Sequence, residues 1–278
     1  MGKARRTRLR KRKTRRRTQR GGSAANYEHP GSPIKVFISA DRMEPTLNAL
    51  LTSLKGHNYS YEVVGLGKPW RGFKTKMENY LDGINRYSGE YAVFVDAFDV
   101  LCIKDADRLL ATYKAKKRSM PIVVGTEIIC FYEENCGMDA LNWYDENQLN
   151  GGRAAIEKTL VKPEPGRPYY QAPESVFLNS GFIMGPAQDL KHMFQSMMDS
   201  GDKDDQIAVI NYMKGHMNKI DLDVEESFVR NKLRPRTKLP DEDGQQGPAF
   251  VHFPGTRTKD EQKRNIEEYY PQYDKNLN

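Results

Sequence analysis

Short apolar segments alternate with helix-forming segments through the first half of this chain, and this order constrains the fold more than any other feature. The apolar segments are rich in β-branched and aromatic residues and are predicted as strands at 34–39, 61–65, 91–95 and 121–125. Helices are predicted between them at 45–54 and 74–84, and from an Asp105 N-cap to Lys117. This βαβαβαβ order predicts an α/β fold with a mostly parallel central sheet that is flanked by helices.

The second half of the chain is less regular. Residues 131–172 are rich in Gly, Pro, Asn and Tyr, and we expect an irregular functional loop there. Regular structure is predicted to return with a strand at 175–185, helices at 186–199 and 205–214, and strands at 219–223 and 249–253. We find no second domain boundary, so we predict a disordered basic tail and linker at 1–32 and a single domain at 33–278.

The positive charge of the chain is concentrated in its N-terminal tail. Residues 3–20 contain twelve Lys or Arg and no acid, and without them the formal charge of +7 becomes −5. Such a tail fits nuclear targeting, a nucleic-acid contact or an anionic membrane surface, and it is equally typical of a solvated extension without a partner. No secretory signal or transmembrane segment is found, so we expect a cytoplasmic protein.

The chain has three cysteines, Cys102, Cys130 and Cys136. This sparse set predicts neither a disulfide framework nor a metal knuckle. Cys130 and Cys136 are able to pair in an oxidising compartment, but buried free thiols in a reducing one are the simpler interpretation.

Two carboxylates follow the predicted strand at 91–95. Asp96 and Asp99 lie three residues apart just past its carboxyl end, which is the edge where open α/β sheets bind ligands. Two hard oxygen ligands suit a divalent cation that holds a phosphate. For the pair alone, a turn capped by Asp96 with a solvated Asp99 is the favoured interpretation.

Three further segments are expected at the same edge of the sheet. They contain Asn179-Ser180-Gly181, Asp204-Asp205-Gln206 at a helix start, and His252 near the C-terminus. Taken singly, these segments suggest a bulge, a helix cap and a structural histidine, respectively. Together, the carboxylates of Asp96 and Asp99 and the imidazole of His252 predict a Mn²⁺ site. Neither a complete dinucleotide-binding glycine motif nor a Walker motif is present.

Five segments, in order, resemble the glycosyltransferase domain of the procollagen lysyl hydroxylases, the PLOD family. The resemblance covers about residues 34–260, and the segments are Gly65-Leu-Gly-Lys-Pro-Trp-Arg-Gly72, Phe94-Val-Asp-Ala-Phe-Asp-Val100, Phe177-Leu-Asn-Ser-Gly-Phe-Ile-Met-Gly185, Asp204-Asp-Gln206 and Val251-His-Phe-Pro-Gly-Thr256.

This resemblance implies a GT-A-type, Rossmann-like glycosyltransferase fold and a nucleotide-sugar donor, UDP-glucose or UDP-galactose, that is bound through Mn²⁺. It implies that the metal ligands are Asp96, Asp99 and His252. The implied donor contacts are Trp70, Arg71, Lys74, Ser180, Gly181 and Gly255, and the implied catalytic residues are Asp205, Gln206 and Asn179. We hypothesise a hexosyltransferase that acts on an acceptor hydroxyl of a protein or glycan, with hydroxylysine or galactosyl-hydroxylysine of a collagen-like protein suggested by the family. In this hypothesis Gln206 holds Asp205, and Asn179 donates to sugar hydroxyls.

The chain departs from the family pattern near the donor and the acceptor. Phe182 follows Gly181 directly, Lys203 interrupts the acidic run, and the glycine-rich stretch after Gly72 is shortened. The sugar and the acceptor therefore stay open. We also expect no lysyl hydroxylation, because the sequence ends about where the transferase module of the family ends.

Two other functions compete with this hypothesis. One is an inactive transferase fold that binds nucleic acid or anions through its basic tail. The other is a metal-dependent nuclease or phosphohydrolase that uses Asp96, Asp99 and Asp205.

Overall fold

The computed structural model describes residues 25–116, 120–130, 141–165, 169–232, 247–255 and 258–269. The basic segment 3–20, Lys117, Cys136 and Thr256 lie outside these ranges, so the predictions that concern them stay predictions.

Twelve strands and eight helices are present in the described residues. The strands are β1 Asn26–Tyr27, β2 Ile34–Ser39, β3 Ser60–Val64, β4 Tyr91–Val95, β5 Val100–Cys102, β6 Ile122–Glu127, β7 Ile129–Cys130, β8 Tyr170–Gln171, β9 Phe177–Pro186, β10 Ile220–Leu222, β11 Val229–Asn231 and β12 Phe250–His252. The helices are α1 Pro45–Gly56, α2 Phe73–Arg86, α3 Ala106–Lys116, α4 Asn142–Glu146, α5 Gly152–Thr159, α6 Ala187–Ser200, α7 Asp205–Gly215 and α8 Lys259–Tyr269.

A seven-stranded sheet forms the centre of the fold, in the order β1-β3-β2-β4-β9-β6-β10. Strands β3, β2, β4, β6 and β10 run in one direction, and β1 and β9 run in the other. The sheet is therefore mixed but mostly parallel, and the predicted α/β class is confirmed.

Helices cover both faces of this sheet because side chains alternate between the faces along each strand. On β2, Phe37 packs in one apolar cluster with Tyr80 of α2 and Phe194 of α6, while Ile38 packs in a second cluster with Leu50 of α1. The aromatic rings of Phe37 and Phe94 stack with their centroids 5.2 Å apart. The predicted covering of both faces by helices is confirmed.

Strand β9 lies between β4 and β6 and runs antiparallel to both. It spans Phe177–Pro186, so Asn179 and Gly181 lie within the strand and not at its carboxyl end. Its first half is nevertheless adjacent to the carboxyl ends of β4 and β6: Phe182 pairs with Val95, and Asn179 pairs with Gly125 next to a register shift. The antiparallel insertion brings this segment to the edge where Asp96 follows β4.

The small sheet β11-β12-β5 brings the C-terminal part of the chain to the same edge. Strand β12 is antiparallel to β5, with His252 opposite Val100, and parallel to β11, with His252 opposite Asn231. Strand β5 begins directly after Asp99. This pairing places the imidazole beside the two carboxylates.

The expected irregular segment 131–172 contains regular structure where it is described. Helices α4 and α5 lie within it, so the expectation of an irregular loop is wrong for residues 142–146 and 152–159. Trp143 Nε1 donates to the carbonyl oxygen of Ile220 over 2.7 Å, and the Tyr144 hydroxyl donates to that of Val176 over 3.0 Å. These buried side chains attach α4 to the central sheet.

The cysteines differ from the simpler interpretation in one respect. Cys102 is a buried free thiol, as expected. Cys130 is disulfide-bonded, so the expectation of a free thiol is wrong for this residue.

Among the described helices, none combines the length and the apolar character that crossing a membrane requires.

Candidate active site

Asp96, Asp99 and His252 come together in front of the carboxyl end of β4. One ligand atom from each lies within 4.8 Å of the others, and no other group of three such residues occurs in the described part of the chain. Nε2 of His252 is 3.6 Å from Oδ2 of Asp96 and 3.6 Å from Oδ1 of Asp99. Backbone hydrogen bonds hold the segments together, from Asp96 N to the Gly181 carbonyl over 3.1 Å and from Phe253 N to the Asp99 carbonyl over 2.8 Å.

The orientation of the imidazole is determined by Asn231. Nδ2 of Asn231 donates to the carbonyl oxygen of Thr126 over 2.6 Å, which leaves its Oδ1 to accept a hydrogen bond from Nδ1 of His252, also over 2.6 Å. In the neutral ring Nδ1 therefore carries the proton, and Nε2 faces the two carboxylates. A second polar group that fixes the tautomer in this way is typical of metal-ligating histidines.

Nε2 of His252 is buried and has no hydrogen-bond partner among the described residues. A buried polar atom without a partner costs roughly 1–3 kcal/mol unless something satisfies it. Burial of the ring lowers the His252 pKa, but the charges of Asp99 and Asp96 outweigh this and raise it above its ordinary value. The two carboxylates and the unpartnered nitrogen fit a divalent cation, which would satisfy all three groups.

A buried lysine lies next to this cluster. Nζ of Lys76 is 2.5 Å from Oδ1 of Asp96 and 2.5 Å from Oδ2 of Asp205. The Ser180 hydroxyl donates to the same Oδ2 of Asp205 over 2.8 Å. Burial lowers the pKa of Lys76, but Asp205 and Asp96 outweigh burial and raise the pKa well above its ordinary value, so the side chain is an ammonium.

Helix α7 begins at this point, and its first residues have different functions. The Asp204 carboxylate caps the helix by accepting from the backbone nitrogens of Gln206 and Ile207, as the capping interpretation of the acidic run predicts. Asp205 is buried and faces Lys76 and Ser180. Gln206 does not hold Asp205, contrary to our hypothesis; instead its Nε2 is 3.4 Å from Oε1 of Glu127.

Glu127 is a site residue that the sequence analysis missed. It is the last residue of β6, is 3% exposed and lies against the side chains of Asn179 and Gln206. Burial raises its pKa to about 7, against the opposing effects of Asn179, His252 and Gln206. The available signal was a single carboxylate at the end of an otherwise uncharged strand, two residues beyond the predicted strand end.

Two neighbouring cavities open on these groups. The larger has about 430 Å³ and is lined by nine of the predicted site residues, namely Asp96, Asp99, Asn179, Ser180, Gly181, Asp205, Gln206, His252 and Gly255. The smaller has about 350 Å³, and Trp70 lines it together with Arg42 and Phe98. Lys76 lines both cavities, as do Phe73, Asp96 and Asp99.

Two predicted donor contacts lie elsewhere. The Arg71 guanidinium is exposed and pairs with Glu78 over 2.9 Å, and Lys74 is exposed on α2. Neither lines the two cavities. Their role as donor contacts stays a prediction.

Gly181 makes room for the imidazole. A Cβ atom at this position would lie 2.3 Å from Cε1 and 2.6 Å from Nδ1 of His252, well inside van der Waals contact. The hydrogen bond to Asn231 holds the ring in this place, so any side chain at position 181 would have to displace it. The glycine is therefore required for the placement of His252.

Comparison with known proteins agrees with the resemblance seen in the sequence. Residues 32–139 match the family model described as the PLOD GT domain. A multifunctional procollagen lysine hydroxylase and glycosyltransferase of Caenorhabditis elegans is 28% identical over 183 residues, which are 62% of this chain and 21% of that protein. The chain thus spans about a fifth of the length of this curated relative. The predicted resemblance is confirmed.

Comparison with solved structures also finds two matches. A glycosyltransferase involved in the glycosylation of the major capsid of PBCV-1 is 10% identical, with 84% of this chain and 98% of that chain covered and a TM-score of 0.47. Mouse xyloside xylosyltransferase 1 in its apo form is 9% identical, with 80% and 98% covered and a TM-score of 0.44.

Proposed function

We propose that this chain is a glycosyltransferase that transfers a hexose from a UDP-sugar to an acceptor hydroxyl with Mn²⁺ as its metal. The match of residues 32–139 to the PLOD GT family model supports this proposal. One observation carries the metal part of the proposal. The unpartnered Nε2 of His252 faces the carboxylates of Asp96 and Asp99 at the wall of a cavity. Hard carboxylate oxygens with one imidazole suit Mn²⁺ better than softer metals.

In this proposal Asp96, Asp99 and His252 hold the metal, which supplies Lewis-acid stabilisation for the charge of the leaving diphosphate. The chain contributes groups that position both substrates, and positioning with electrostatics supplies most of the catalysis. The cavity of about 350 Å³ lined by Trp70, Phe98 and Arg42 offers aromatic faces and a cation next to the metal ligands. We assign the nucleoside part of the donor to this cavity.

The sugar and the acceptor are assigned to the larger cavity. Asn179, Ser180 and Asp205 supply the hydrogen-bonding groups that orient sugar hydroxyls there. Glu127, with its pKa raised to about 7 by burial, is able to accept a proton from an acceptor hydroxyl near neutral pH. Glu127 thus joins Asp205 as a candidate for the acceptor side.

For the acceptor we propose a hydroxylysine or galactosyl-hydroxylysine of a collagen-like protein. The support is the family resemblance and the name of the worm relative, a procollagen lysine hydroxylase and glycosyltransferase. A panel of collagen-like peptides with lysine, hydroxylysine or galactosyl-hydroxylysine tests this choice, and transfer that is equal for all three would contradict it.

Turnover of the donor tests the proposal. Purified protein is supplied with Mn²⁺ and a panel of UDP-sugars, and UDP release is measured for the wild type, Asp96→Asn and Asp107→Asn. Asp107 is an exposed acid of α3 and is the matched control. We expect release from UDP-glucose or UDP-galactose that Asp96→Asn reduces at least about a hundredfold and Asp107→Asn leaves unchanged. Equal rates for the two variants would contradict the assigned site.

A further inference from the structure

We propose that Lys76 is a positioning residue that assigns the two carboxylates beside it to different tasks, Asp96 to the metal and Asp205 to the sugar side of the cavity. The inference rests on the proposed function, because it presumes a metal at Asp96, Asp99 and His252. It concerns a residue that contributes no ligand atom to that cluster.

The geometry of Asp96 carries the first step. Its two oxygens face different partners: Oδ1 is 2.5 Å from Nζ of Lys76, whereas Oδ2 is 3.6 Å from Nε2 of His252. The ammonium donates to Oδ1, and Oδ2 faces the metal cluster. Lys76 therefore selects which oxygen of Asp96 is presented to a metal.

The geometry of Asp205 carries the second step. The same ammonium is 2.5 Å from Oδ2 of Asp205, which also accepts from the Ser180 hydroxyl over 2.8 Å. The side chains of Lys76 and Asp205 are 7% and 9% exposed, so water screens this pair weakly. Ser180 thus holds Asp205 against β9, and the Lys76 ammonium binds both the Asp205 carboxylate and that of Asp96.

The charge arrangement explains why a cation is needed at this position. Asp96 and Asp205 each place a carboxylate oxygen 2.5 Å from Nζ of Lys76. This arrangement resembles two carboxylates that share one cation. Without Lys76, the negative charge of Asp205 would add to the attraction of the cluster for a divalent metal. With Lys76, the ammonium occupies the bridging position, and Asp205 stays available to substrate.

This role predicts that substitutions of Lys76 and of Asp205 change the affinity for Mn²⁺ in opposite directions. Removing the ammonium should strengthen Mn²⁺ binding, because a positive charge near the metal is lost. Removing the negative charge of Asp205 should weaken Mn²⁺ binding, because that charge no longer offsets the repulsion between the Lys76 ammonium and the metal. A purely structural role for the pair would weaken Mn²⁺ binding in both variants.

The experiment is a titration of the full chain with Mn²⁺ alone, in which the free ion is followed by its EPR signal. We expect Lys76→Met to bind Mn²⁺ about fivefold or more tightly than wild type, and Asp205→Asn about fivefold or more weakly. The double variant, which removes both charges, should bind within about threefold of wild type. Circular dichroism reports whether each variant is folded.

Weaker or unchanged Mn²⁺ binding by a folded Lys76→Met would overturn the inference. If Lys76→Met does not fold, the double variant decides, and Mn²⁺ binding by that variant more than about threefold weaker than wild type would overturn the inference. Failure of the proposed function is distinguishable from failure of this inference. Wild-type protein that binds Mn²⁺ but turns over no UDP-sugar contradicts the proposed function. The Mn²⁺ affinities of the variants still test the inference in that case. A wild type that binds no Mn²⁺ contradicts both.

Discussion

Oδ1 of Asn231 accepts a hydrogen bond from Nδ1 of His252 over 2.6 Å, and this contact fixes which ring nitrogen faces the carboxylates. Asn231 lies beside His252 because β11 and β12 pair in parallel, with the two residues in register. Its amide is itself held by the carbonyl of Thr126. The contact links the central sheet to the candidate metal ligand through one side chain.

Replacement of Asn231 should impair metal binding without touching a ligand. We expect Asn231→Ala to weaken Mn²⁺ binding about 10- to 100-fold, because the imidazole loses the acceptor that fixes its tautomer. Calorimetric titration with Mn²⁺ measures this. Asn211→Ala is the matched control, since Asn211 bonds Asp202 on the outside of α7 and not the cluster. Equal affinities for the two variants would contradict the role of Asn231.

Enlargement of Gly181 should displace the imidazole. We expect Gly181→Ala to weaken Mn²⁺ binding at least about tenfold, because its Cβ would lie 2.3 Å from Cε1 of His252. Gly215→Ala is the control, since a Cβ there meets nothing within 4 Å. The readout is the gain in melting temperature on addition of Mn²⁺, which should be smaller for Gly181→Ala and unchanged for the control. A full gain in Gly181→Ala would show that the ring has room to move.

The raised pKa of Glu127 should make stability depend on pH. The folded protein holds this proton up to about pH 7, whereas in the unfolded chain the carboxyl titrates near its ordinary pKa of 4.5. The contribution of this bound proton to the free energy of unfolding is therefore fully present below about pH 4.5 and is lost as the pH rises through about 7. We expect Glu127→Gln to gain stability relative to wild type over this window, by up to about 3 kcal/mol.

Urea unfolding of both proteins in EDTA, between pH 4.5 and 8, measures this difference. The comparison of the two proteins cancels titrating groups that do not interact with Glu127, including Asp223, whose pKa burial also raises to about 7. A difference in unfolding free energy that stays constant with pH would contradict the raised pKa.

Sequence reasoning was most successful where a residue's environment follows from its own segment. The apolar run of β4 was predicted with the bounds that the structure shows, because five consecutive apolar residues between polar ones leave little choice. Asp96, Asp99 and His252 were grouped because each follows or ends a predicted strand, and the structure brings them together. The direction of β9 was not predictable, because an apolar run is equally compatible with either direction.

Lys76 and Asn231 were missed in the sequence because their roles depend on contacts that are distant along the chain. Lys76 lies in a helix segment with lysines on either side of Thr75, and nothing local distinguishes it from exposed Lys74. Its partners, Asp96 and Asp205, are 20 and 129 positions away along the chain. Asn231 belongs to a strand of three residues that is defined by its pairing with β12. Such residues obtain their role from tertiary contacts that a single sequence does not encode locally.

The central claim is that a metal held by Asp96, Asp99 and His252 binds the diphosphate of a UDP-sugar. Its most direct test is calorimetric titration of the wild type and His252→Gln with UDP, each with Mn²⁺ and with EDTA. We predict that wild type binds UDP at least about tenfold more tightly with Mn²⁺ than with EDTA, and that His252→Gln loses this difference. UDP binding by wild type that is equally tight in EDTA, or absent under both conditions, would contradict the account.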